Sequence, residues 1–243
     1  MARGVSSPLE VGFVHSSDLH IGDIETTRAF DGDPMGPLVL VLAAARTARA
    51  DAVLLAGDIF ENNRVPRDLA CAVADRLVAA RIPVVVLPGN HDPLIEDGVW
   101  RLPAFAACGN VHVLGLGNLR SVRLERLGLH VWGNAHVDYD DMVPLRAPVR
   151  RALPFHVALA HGHYEPTPNR RIVPRPAWLI GKSEIRATGA DYVALGHWNR
   201  ATAVGDGVIA AHYSGAPELM RQANFVTLRK GRSPRVRSVV LEP

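Results

Sequence analysis

Side chains able to hold a divalent cation recur along this chain in short groups, each set directly behind an apolar run. Asp18 and His20 stand two apart, so in extended chain they share a face and can converge on one ion. Asp58 follows Gly57, the trio Asn90, His91 and Asp92 follows Gly89, and His161 and His197 each close an apolar stretch. A carboxylate offers hard oxygens and can bridge two cations, an amide offers a neutral oxygen, and an imidazole offers a borderline nitrogen. Such mixed sets suit manganese, iron or zinc better than calcium. His91 can carry a proton near neutral pH, and Asp92 beside it can orient the ring. Taken singly, each group reads as an ordinary turn or core residue; their repetition at five strand ends is what points to a site.

The apolar runs behind these groups cover residues 11–15, 51–56, 83–87, 156–160 and 191–195. They are continuous rather than alternating, as in strands of a parallel sheet buried on both faces. Residues 36–50, with Arg46 and Arg49 near their end, predict a largely buried helix, and Pro66 opens a second running to about Arg81. Strand, helix, strand, helix, strand is the order of an open parallel α/β sheet, which places ligands at the carboxyl ends of its strands. Residues 21–34 read as loop. Residues 99–131 read as a short helix near 102–107 and then a meander of strands at 111–114, 121–124 and 129–132 forming a second sheet. Residues 138–151 read as surface loop with at most one helical turn. The Pro-rich stretch 164–182 reads as an excursion over the active face, and 208–211, 224–228 and 235–241 as terminal strands.

A chain of 243 residues, 48% hydrophobic, is expected to form one domain over 1–243. The net charge of +3, from 27 basic against 24 acidic residues, permits a polyanionic substrate without arguing for one. Cys71 and Cys108 have neither metal-type spacing nor the pattern of a disulfide framework and read as reduced structural thiols, which favours the cytoplasm. No apolar stretch has the length of a signal-peptide core or a membrane span.

The motifs Asp18-Leu19-His20, Gly57-Asp58, Gly89-Asn90-His91-Asp92, His161 and Gly196-His197-Trp198-Asn199 resemble in order and spacing those of the calcineurin-like metallophosphoesterase superfamily, over about residues 11–215. Within it, residues 17–22, 56–66 and 213–218 are similar to the DNA-repair exonucleases of the SbcD-like branch. The resemblance implies a four-layer α/β/β/α sandwich. It implies a phosphodiester substrate, above all nucleic acid, hydrolysed by a hydroxide that two divalent metal ions activate, manganese first among the candidates. Asp18, His20 and Asp58 would hold one metal and Asp58, Asn90, His161 and His197 the other, with His91 as the catalytic group and Asp92 fixing its ring. His163 rivals His161 as a ligand; His161 is preferred because it directly ends the apolar run. His15, His112, His130, His136 and His156 read as structural.

Two features depart from the family. Its last motif closes with histidine where this chain has Asn199, a weaker neutral ligand for the first metal. That leaves a working natural variant, a half-filled site, or a substitution made to disable the protein. The chain also ends soon after the phosphoesterase core, so no DNA-capping domain is expected. A partner ATPase, usual for the related nucleases, is carried by the resemblance alone. Arg170, Arg171, Arg175 and Lys182, with Trp178 and Trp198, could meet a nucleic-acid backbone and its bases. Hydrolysis of a small phosphodiester or phosphomonoester, and a non-catalytic binding module, are the alternatives.

Overall fold

A computed structural model describes residues 10–171 and 176–242. Its strands, in chain order, are β1 (Glu10–Ser16), β2 (Ala52–Ala56), β3 (Val84–Leu87), β4 (Val111–Val113), β5 (Ser121–Leu124), β6 (Leu129–Gly133), β7 (Phe155–His161), β8 (Tyr192–Gly196), β9 (Thr202–Val204), β10 (Ala210–Tyr213), β11 (Gln222–Arg229) and β12 (Arg235–Val240). Helices are α1 (Ile24–Ala29), α2 (Gly36–Thr47), α3 (Arg67–Ala79), α4 (Pro103–Ala106), α5 (Lys182–Ala187) and α6 (Pro217–Met220).

The strands form two mixed sheets ordered β12-β11-β1-β2-β3-β4 and β5-β6-β7-β8-β10-β9. In the first, β1 to β4 run parallel and β11 and β12 extend it antiparallel beside β1. In the second, β6, β7, β8 and β10 run parallel between antiparallel edges β5 and β9. Alternate residues divide between layers as the pleat requires. Phe13, Leu54 and Val85 face Val157, Leu159 and Tyr192 of the other sheet. Val14, Val53 and Leu55 turn outward under Leu38 and Val41 of α2 and Val73 and Leu77 of α3. On the far side Ala158, Val193 and Leu195 lie under Ile185 of α5. Helices, sheet, sheet and helix make the expected four layers.

Three expectations need correction. Residues 24–29 are helical, started by Asp23, whose side chain accepts from the Thr26 N–H at 2.7 Å. A local cap of this kind supports a turn and a half of helix without an apolar period. The meander is split: β4 completes the first sheet in parallel with β3, and only β5 and β6 form the antiparallel pair that opens the second. The second long helix begins at Arg67, with Pro66 as its N-cap; residues 138–151 are loop, as expected.

Candidate metal centre

The two sheets bring the carboxyl ends of β1, β2, β3, β7 and β8 to one edge of the sandwich. Beyond β1 and β2 the chains stay in register through loop hydrogen bonds: Asp18 N–H to Gly57 O at 3.0 Å, His20 N–H to Asp58 O at 3.2 Å, and Ile21 N–H to Ile59 O at 2.9 Å. The backbone there is strained. Asp18, His20, Asp58 and His197 have φ of 55°, 45°, 53° and 102°, a region that costs L-residues energy and persists only when the surroundings dictate it. Four predicted ligands share this property.

Ligand atoms of Asp18, His20 and Asp58 lie within 4.8 Å of one another, and so do those of Asp58, His161 and His197. Asp58 belongs to both groups. Its Oδ1 accepts the His91 main-chain N–H at 2.9 Å, and its Oδ2 lies 3.1 Å from His161 Nε2. Asn90 Oδ1 is 2.9 Å from the same Nε2, while His161 Nδ1–H donates to Ala56 O at 2.9 Å. The carbonyl fixes the ring so that Nε2 faces the carboxylates. Space at this seam is minimal: a Cβ on Gly57 would sit 2.0 Å from His161 Nδ1, and one on Gly89 would sit 2.1 Å from Asp58 Oδ1. Glycine is required at both positions.

The electrostatics favour positive charge. Burial would lower His161, but the Asp58 carboxylate outweighs it and, with Asp18, raises the ring to about 9. Burial pushes Asp58 up, yet the His161 ring beside it holds the carboxyl well below the usual range. Asp18 is raised by burial, with neighbouring Asp58 adding to the shift. His197 is driven down to about 3 by burial and by the His161 charge. Two buried carboxylates, an amide oxygen and three imidazoles, arranged about a shared Asp58, fit a pair of divalent cations by donor type and by charge.

The group beside this centre differs from the sequence expectation. Asp92 does not hold the His91 ring. Fully buried, its Oδ2 accepts from the Ile59 and Phe60 N–H groups at 2.9 and 3.0 Å and its Oδ1 from Gly89 N–H at 2.7 Å. A short carboxylate turned inward after Gly89 reaches these amides and braces the β2 and β3 loops together. His91 Nδ1–H donates instead to the Glu61 carbonyl at 3.0 Å, and the Glu61 carboxylate lies 3.6 Å from that nitrogen and 2.7 Å from His20 Nδ1. Glu61 is the residue that sequence reasoning missed; its only signal was its place three residues after Asp58.

Asn199 follows the end of β8 by three residues. It is exposed, its main-chain carbonyl accepts from Ala216 N–H at 3.2 Å, and no hydrogen bond among the described residues ties its side chain to Asp18, His20 or Asp58. In front of the centre lies a cleft of about 820 Å³ lined by Glu61, Asn90, His91, Tyr139, His163 and Trp178, among others. Trp178 is held in place: its N–H and that of Ala177 donate to Asp141 Oδ1, and its indole N–H donates to Asp140 O. Part of the expected basic face is engaged elsewhere. Arg170 pairs with Glu184 and the Leu179 carbonyl, Trp198 is stacked on Tyr213, and Arg175 lies outside the described residues.

An open edge of two packed α/β sheets, carrying buried carboxylates and imidazoles around one shared aspartate, defines a metal-dependent phosphoester hydrolase. The model of the calcineurin-like phosphoesterase family matches residues 12–201, and this chain belongs to that family. It is therefore a hydrolase of phosphoesters, of a family that uses divalent metals. Over 82 residues it is 32% identical to the SbcD subunit of the nuclease SbcCD from two strains of Escherichia coli, a match covering 32% of this chain and 20% of that protein. The chain thus spans about a fifth of the length of these relatives. Among solved structures, TT1561 of Thermus thermophilus superposes with a TM-score of 0.60 at 12% identity, covering 96% of this chain and 99% of that one. A structure of a novel archaeal phosphodiesterase superposes with a TM-score of 0.51 at 12% identity, covering 95% and 100%. These likenesses show the fold. Among the described residues no helix is long and apolar enough to cross a membrane.

Proposed function

We propose that this chain is a two-metal phosphodiesterase acting on nucleic acid in the manner of the SbcD-like nucleases. The observation that carries the reading is the sharing of Asp58 between two ligand clusters, with His91 on the adjoining loop. Asp18, His20 and Asp58 would hold one cation, with Asn199 its weak fourth ligand, and Asp58, Asn90, His161 and His197 the other. Manganese fits this mixed oxygen and nitrogen set, as would iron or zinc. Bound there, the cations would supply a nucleophile at neutral pH and polarise the phosphoryl oxygens.

The chain's own residues do the rest. Asp58 holds the His91 main chain, and Glu61 O takes the His91 Nδ1 proton as a hydrogen bond. Nε2 is then the nitrogen left to hold a proton for the leaving oxygen. Asp92 keeps both loops in register from behind. Residues 1–243 are read as one phosphoesterase domain, cytoplasmic, with a partner ATPase carried by likeness to a protein that is itself one part of a nuclease complex.

A small phosphodiester is the second reading, and one observation favours it: the described residues lining the cleft include no lysine or arginine. Manganese-supported hydrolysis of single-stranded DNA, an aryl phosphodiester and an aryl monophosphate, each beside His91→Ala, separates the cases. DNA cleavage lost in His91→Ala supports the nuclease. Diester or monoester hydrolysis without DNA cleavage supports the small substrate. Inactivity with every metal would leave only a binding module.

A further inference from the structure

One histidine of the cleft has no part in the roles above. His163 follows His161 by two residues, yet it belongs to neither ligand cluster. Its backbone is fixed on both sides: its N–H donates to Trp178 O at 3.1 Å, and its carbonyl accepts from Ile180 N–H at 2.8 Å. Its ring is fixed by Trp198, whose indole N–H donates to His163 Nδ1 at 3.0 Å. An indole nitrogen can only donate, so Nδ1 is the acceptor and the ring proton resides on Nε2.

Trp198 is itself immobilised. It lies flat on Tyr213, with ring centroids 4.5 Å apart and planes 8° from parallel, and the Tyr213 hydroxyl donates to Gly162 O at 2.7 Å. Two large aromatic side chains thus hold one exposed imidazole in a single tautomer. Among the described residues its Nε2 has no hydrogen-bond partner. The ring lines the same cleft as Asn90, His91 and His197, with its centroid 6.5 Å from that of His197. The ring is exposed and presented to the cleft.

We propose that His163 is a further substrate-contacting residue, giving Nε2–H to a non-bridging oxygen of the phosphoester, with Trp198 as its positioning residue. The inference rests on the phosphoesterase reading of the site and adds an N–H donor to it, of the kind that stabilises charge developing on oxygen.

The test compares the manganese-loaded wild type with His163→Ala, His163→Gln, Trp198→Phe and His91→Ala. Three quantities are read: hydrolysis of an aryl phosphodiester, affinity for inorganic phosphate by calorimetry, and metal content. His163→Ala should lower kcat/KM by roughly 10- to 100-fold and weaken phosphate binding several-fold, with metal content unchanged. His163→Gln, which retains an N–H near the same point, should recover part of both losses. Trp198→Phe keeps the stack on Tyr213 but loses the indole N–H, and should show a smaller loss of the same kind.

Wild-type kcat/KM and phosphate affinity in His163→Ala would overturn the proposal, as would a fall in its metal content, which would make His163 a ligand. Hydrolysis that needs His91 but ignores His163 sinks this inference alone. A wild type that hydrolyses nothing sinks the reading of the site, and the phosphate titration then still decides whether His163 meets the anion.

Discussion

The two sheets contribute different chemistry to one edge and hold it by different means. The first supplies mainly oxygens, from Asp18, Asp58 and Asn90, with the His20 imidazole among them, on loops braced by backbone hydrogen bonds and by the inward Asp92 carboxylate. The second supplies nitrogens, from His161 and His197, on strand ends packed among Trp178, Trp198 and Tyr213. The oxygen side is rigid because loop amides are paired with carbonyls or carboxylates. The nitrogen side is rigid because rings fill the space around it. The group of Asp18, His20 and Asp58 lies wholly on the first sheet, while the second group forms only where the sheets meet, at the contact of Asp58 with His161.

The largest effect should come from the residue that both clusters share. Asp58→Asn should cost both metal sites and more than about 100-fold in hydrolysis, whereas His197→Ala should empty one site and spare the other. Metal content by mass spectrometry reads this directly; equal losses in the two variants would break the distinction between the sheets.

Next is the seam itself. Gly57→Ala places a Cβ against the His161 ring at a backbone φ of +94°. Overpacking and strain together should cost roughly 1–3 kcal/mol, read as a fall in Tm together with lost activity. A Tm and an activity equal to wild type would show that the seam can open.

Asn199→His should sharpen the oxygen side. An imidazole in place of an exposed amide should tighten the cluster of Asp18, His20 and Asp58 on the order of tenfold and raise turnover with it. Manganese titration checks this, and two tightly held metals before the change with no gain after it would reject it.

The smallest effect lies at the opposite end of the second sheet. His156 stacks on His130 with centroids 5.0 Å apart, and both its ring nitrogens are buried without partners. Burial, and then the His130 ring, lower it to about 4 from an ordinary value of 6.5. As pH falls through that window the unfolded chain takes up the proton first, so stability is full above 6.5 and is lost toward 4. His156→Phe should flatten that acid limb slightly in melts across pH, because His15 and His136, also lowered by burial, share it. An unchanged slope would mean that His156 contributes nothing to it.

Much of this was legible in the chain because the site uses strand ends. A continuous apolar run closed by Gly-Asp or Gly-Asn-His marks both the strand and its polar end, so β1, β2, β3, β7 and β8 and the side chains gathered at their ends were readable. Glu61 and Asp92 were not assigned correctly. Whether a carboxylate turns toward a ring or toward backbone amides depends on where the neighbouring loop lies, and sequence distance does not encode that. The Trp198 and Tyr213 stack was hidden for the same reason, since it joins residues brought together by the pairing of β8 with β10. Helix α1 was missed because a side-chain cap, rather than an apolar period, defines it.

One shared aspartate at the seam of the two sheets is proposed to support two cations, both needed for hydrolysis. Manganese titration of the wild type, with aryl phosphodiester hydrolysis followed at each step, tests it most directly. Two equivalents should bind, the second more weakly because Asn199 is a poor ligand, and hydrolysis should rise with the second equivalent. Hydrolysis that saturates when the first equivalent has bound would contradict the account.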